Sequence, residues 1–124
     1  MANGKSDTVA HGILDIAGEW LESAVPGTRG LWPRAAAFLM RMSLESAIDE
    51  FWAAKVPALR ECSMRAQLLC LREYTDRHVA ARADAVWSAL SNACHYHHYE
   101  LVPTAAELRD WHAEVSHIVK TIKN

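Results

Sequence analysis

The stretch Ser91-Asn92-Ala93-Cys94-His95-Tyr96-His97-His98-Tyr99-Glu100 gathers more reactive side chains than any other part of the chain. It holds three of the seven histidines, one of the three cysteines and two of the three tyrosines. Imidazoles exchange protons near neutral pH, so a histidine here can act as general acid or base. Cleavage of RNA at a 2′-hydroxyl needs that and also a cation, commonly Arg, to hold the phosphate as charge builds. His97 supplies the first part, and no Arg falls within the segment. Two other readings compete for the same residues. Cys94, His95, His97, His98 and Glu100 all carry ligating atoms, but a structural zinc site draws four ligands, usually as two pairs set apart in the chain. The second pair would have to come from residues such as His112 and Glu114, and the spacing fits zinc patterns poorly, so no metal or cofactor is expected. In the third reading the residues are structural. His95 meets free carbonyls at a helix C-terminus, His97 and His98 lie in a surface turn, and Tyr99 and Leu101 anchor the chain before Pro103. Ser91 lacks the sequence context of a nucleophilic serine.

The segment lies between a helical pattern and a strong helix start, so a helix end and a short connection position it. Five helices are expected. The first runs from about Asp7 to Ala24, with Val9, Ile13, Ile16 and Trp20 as its apolar face, and ends at Pro26-Gly27. The second starts near Pro33, where a missing N–H does no harm, and stops at Pro57. Its stripe is Ala37, Met40, Leu44, Ile48 and Phe51, and Arg41, Glu45 and Asp49 are spaced for ion pairs. Trp32 packs at its entrance as a hydrophobic staple. Ser63 caps a third helix through about Tyr74, with Leu68, Leu69 and Leu71 buried. After a junction at Thr75-Asp76, a fourth runs to about Cys94, with Val79, Ala83, Val86, Trp87 and Leu90 inward. Thr104-Ala105-Ala106-Glu107 is a capping box opening the fifth. Its stripe, Leu108, Trp111, Val115, Ile118 and Ile122, suits a core or a partner helix equally well. With no strand alternation or internal repeat, the expectation is a single all-α domain over 1–124, a bundle of four to five helices.

Composition narrows the function classes. Apolar residues make up 51% and charged residues 23% of the 124, which describes a folded domain rather than a disordered chain. The formal charge of −2 excludes a strong overall basic field for nucleic acid, although local patches remain open. Arg60, Arg65, Arg72, Arg77 and Arg82 are diluted by Glu61, Glu73, Asp76 and Asp84 and read as a mixed-charge surface. Some of the five tryptophans are core anchors, and one or two belong in an interface or pocket. Three cysteines without CxxC spacing, Cys70 among them as a buried thiol, suggest a reducing, cytoplasmic setting. Met1–Thr8 lacks the apolar core of a signal peptide, and no stretch approaches the ~20 apolar residues of a membrane span.

The residues around 91–104 also resemble a known family. Asn92, His97 and Tyr99 at the end of a late helix are similar to the motif of HEPN domains: an Arg, a polar residue, a gap, a His, then often a Tyr. The run Tyr99-Glu100-Leu101-Val102-Pro103-Thr104 into Glu107-Leu108 is similar to the segment that often follows. Arg41-Met42-Ser43-Leu44-Glu45-Ser46-Ala47-Ile48-Asp49 is similar to an early family helix. The resemblance covers about 30–120. It implies a HEPN-like bundle that forms a homodimer with a shared cleft and binds RNA or a nucleotide-bearing partner. It also implies a role in a toxin–antitoxin or phage-defence system. His97 would be general acid or base, Asn92 would orient it or the phosphate, and His98 would be a second base. No metal would be needed. The family's Arg falls at Ser91, which cannot hold a phosphate charge as a guanidinium does. Either Arg34, Arg41 or Arg82 replaces it beside the RNA, or the ribonuclease activity is weak or lost. In toxin members the motif Tyr is modified by a nucleotidyltransferase partner, and Tyr99 is the matching residue. A module serving only protein–protein interaction is the alternative.

Overall fold

The computed structural model describes residues 4–22, 31–95 and 102–123. They form five helices and no strand: α1 (Gly4–Glu22), α2 (Leu31–Lys55), α3 (Met64–Leu71), α4 (Arg77–Cys94) and α5 (Ala105–Lys123), with a 3-10 turn at Pro57–Glu61. The all-α bundle expected from periodicity is the fold, and no described helix is long and apolar enough to cross a membrane.

The 25-residue α2 is the central element, packed against α1, α4 and α5. Its buried side is Ala36, Ala37, Met40, Leu44, Ile48 and Trp52, close to the expected stripe. Trp52 takes the fully buried place and Phe51 is only partly covered, packed edge-to-face on Trp52. Trp32 packs against the core at the helix entrance. Pro57 ends the helix as expected and opens the 3-10 turn, where Arg60 binds Asp49 at 3.0 Å. Asp49 therefore serves the turn rather than Arg41.

α1 presents a different face from the one its large residues suggest. Ala10, Leu14 and Ala17 are buried, whereas Val9 and Ile16 remain 50% and 45% exposed. Small Ala10 and Ala17 let α1 approach α2, which offers Ala36 and Ala37. Polar contacts hold the same side. The Ser43 hydroxyl donates to the Ala10 carbonyl at 2.8 Å, and His112 Nε2 of α5 lies 3.0 Å from the Leu14 carbonyl. Gly18 leaves room for that ring, since a Cβ there would stand 3.1 Å from His112 Nε2.

The shorter elements follow their caps. The Ala66 N–H donates to Ser63 Oγ at 3.2 Å, as expected, but α3 stops at Leu71 and a turn continues the chain. Leu68 and Leu71 are buried with Gln67, while Leu69 is 65% exposed, because a two-turn helix buries only one face. Cys70 is half-buried rather than fully enclosed. Asp76 caps α4 by accepting from the His78 and Val79 N–H groups. Val79, Ala83, Val86 and Leu90 then point inward. Both bonds of the Thr104–Glu107 capping box form at 3.1 Å, and Leu108, Val115, Ile118, Val119 and Ile122 of α5 complete the core.

Candidate functional site

The C-terminal end of α4 and the N-terminal end of α2 meet because the two helices run antiparallel. Glu45 of α2 accepts from Trp87 Nε1 at 2.9 Å. Further toward the end of α4, Arg34 Nη1 donates to the Ala93 carbonyl at 3.2 Å and the His95 carbonyl at 2.5 Å. A helix C-terminus leaves its last carbonyls without helical partners, and it carries partial negative charge. Arg34 satisfies both conditions and is thereby fixed in place. The His95 backbone N–H donates to the Asn92 carbonyl at 3.3 Å, and the His95 carbonyl accepts from Arg34.

Beside this contact is a cleft of about 430 Å³, lined by Arg34 of α2, Ala89, Asn92 and Ala93 of α4, the Val102–Thr104 approach to α5, and Glu107 and Trp111. Its walls are mostly apolar. Its polar groups are a guanidinium, an exposed amide, the Thr104 hydroxyl and a carboxylate. Glu107 Oε1 is engaged by the Thr104 N–H, so the capping box also holds that carboxylate at the rim. Trp111 was expected on the buried stripe. It is half-buried, packed against the core, and forms part of the cleft wall. Its 3-4 spacing gave no means of separating it from Leu108 or Val115.

The residues expected at the site divide by helical register. Asn92 faces the cleft with Arg34. Ser91, about 100° around α4, has a buried hydroxyl with no hydrogen-bond partner on the side of Trp87. There α2 contributes Arg41 and Glu45, 3.9 Å apart, and the Arg41 guanidinium lies 5.6 Å from the Phe38 ring centroid. The Arg41 Nε is buried without a hydrogen bond. Cys94 borders this seam. Burial pushes its thiol pKa up, Glu45 adds to the rise, and Arg41 and Arg34 oppose it. Arg82 is engaged elsewhere, with Nε 2.6 Å from Glu114 Oε1, and ten residues of helix place it about 15 Å along α4 from Asn92. Of the three arginines, Arg34 is the one that shares the cleft with Asn92. His97, His98 and Tyr99 lie outside the described residues.

The suggested second pair of metal ligands is committed elsewhere, His112 to Leu14 and Glu114 to Arg82. Among the described residues no three of His, Cys, Asp and Glu come together as a metal site requires. The cleft as described has the parts of a binding site: a fixed cation, an amide and an aromatic wall. Compared with known proteins, the chain matches no family model, no curated protein and no solved structure.

Proposed function

We propose that this chain is a HEPN-like domain that binds RNA at the C-terminal end of α4, with weak or lost metal-independent ribonuclease activity. The observation that carries the reading is Arg34 in one cleft with Asn92, immediately before the histidine-rich segment. A guanidinium there offers the phosphate-holding charge that Ser91 lacks. If cleavage is retained, His97, with His98 as the backup base, takes the proton of the 2′-hydroxyl as its oxygen attacks phosphorus, and the 5′-oxygen leaves with a proton from solvent. The products are a 2′,3′-cyclic phosphate and a 5′-hydroxyl. A homodimer, a toxin–antitoxin or phage-defence role, and a nucleotidyltransferase partner that modifies Tyr99 belong to the same proposal.

The test is incubation of purified protein with total RNA in the presence of a chelator, beside the His97→Ala variant. Cleavage by the parent alone indicates an active metal-independent nuclease. RNA retention without cleavage, weakening steeply with salt, indicates a binding domain. If the RNA is neither cleaved nor retained, the proposal fails. A second reading, a protein–protein interaction module, is favoured by the exposed Val9 and Ile16 of α1 and the exposed Phe38 and Met42 of α2.

A further inference from the structure

We infer that the cleft between α2, α4 and α5 takes one unpaired adenine, stacked on Trp111 and read by Asn92 and Glu107. This rests on the RNA-binding reading and goes beyond it, because it gives Asn92 a base-reading role and assigns the cleft a base.

The apolar wall comes first. Ala89, Ala93, Val102, Pro103 and Trp111 present little that could bind a phosphate or a sugar hydroxyl. Such a wall suits the flat face of a ring, and bases stack on aromatic side chains in single-strand binding sites. At about 430 Å³ the cleft is in the range of small-ligand pockets, fitting one base rather than a run of them. The polar groups then select among bases. The Asn92 amide presents a donor and an acceptor side by side, the pattern that pairs with the amino group and ring nitrogen of adenine. A carboxylate only accepts hydrogen bonds. Glu107 therefore favours a base carrying an exocyclic amino group over uracil, which has none. Adenine, cytosine and guanine carry one; the purines cover more of the indole, and of these adenine is the one whose amino group and neighbouring ring nitrogen match the amide. Arg34, held by the Ala93 and His95 carbonyls, supplies positive charge at the same mouth for the adjoining phosphate.

The experiment is fluorescence anisotropy with short labelled single-stranded homopolymers of A, C and U at one salt concentration. The expected result is A bound about tenfold tighter than U, the size of one good amide–base pair, with C between them. Asn92 is exposed, so Asn92→Ala keeps the fold, which its circular dichroism melt checks, and it removes most of the difference between A and U. Trp111→Leu keeps apolar volume against the core and weakens all three. Equal binding of A, C and U overturns the inference and leaves RNA binding standing, as does an A preference untouched by Asn92→Ala. No binding of any homopolymer overturns both.

Discussion

Arg34 and Arg41 are seven residues apart on α2 and have different surroundings. Arg34 donates to two carbonyls at the end of α4, whereas Arg41 pairs loosely with Glu45 and leaves its Nε without a hydrogen bond. Cys94 reports on the second environment. Its thiol pKa is raised chiefly by burial, which disfavours the thiolate. A thiol whose pKa is higher in the folded chain contributes stability that is fully present below the unfolded pKa and lost as pH rises through the folded one. Iodoacetamide should therefore alkylate Cys94 more slowly than exposed Cys62 at mildly alkaline pH. The Cys94 pH midpoint should lie above that of the same peptide unfolded, as read by mass spectrometry over a pH series. Replacing it, as Cys94→Ser, should flatten the alkaline decline in stability. Matching rates for the two cysteines would show that the seam does not shield the thiol.

At the scale of the helix, α1 shows where periodicity reaches its limit. Val9, Ile13, Ile16 and Trp20 form a regular apolar stripe, yet Ala10, Leu14 and Ala17 carry the burial. Leu14→Ala is expected to cost about 2–5 kcal/mol, the usual range for truncating a core leucine. Ile16→Ala should stay within about 0.5 kcal/mol, as for a surface change. Urea unfolding of both variants decides this, and a larger loss for Ile16 would mean that α1 docks through its other face. The remaining helices were legible because local chemistry marks them. Ser63 and the Thr104–Glu107 pair announce helix starts through bonds made within four residues. Pro57 stops α2, and the α4 stripe points where its spacing says. Leu69 was not legible, since three leucines in four positions cannot all share the buried face of a two-turn helix.

For the whole molecule, α1 and α2 leave the large apolar side chains of Val9, Ile16, Phe38 and Met42 exposed. Under the interaction reading, a second copy related by a two-fold axis would cover the α1 stripe. Ile16→Lys should then shift the protein toward monomer, with the dimer Kd raised at least about tenfold, while the helical content stays unchanged. Sedimentation at several salt concentrations checks this. An apolar contact holds at high salt, whereas RNA binding at the α4 end weakens. A parent protein that sediments as a monomer at all concentrations would remove the self-association part of the proposal.

The sequence by itself determined that the chain is helical, where most of its helices begin and end, and which segment concentrates titratable groups. These properties rest on caps, prolines and repeats of three and four residues, all local in the chain. Only the tertiary structure decided which side of α1 meets α2, because small residues and the hydrogen bonds of Ser43 and His112 outweigh the larger apolar stripe. It also decided that Arg34 rather than Arg82 stands beside Asn92, and that Trp111 walls a cleft. Arg34 and Asn92 are 58 positions apart, and no periodicity within one helix carries the antiparallel packing that brings them together.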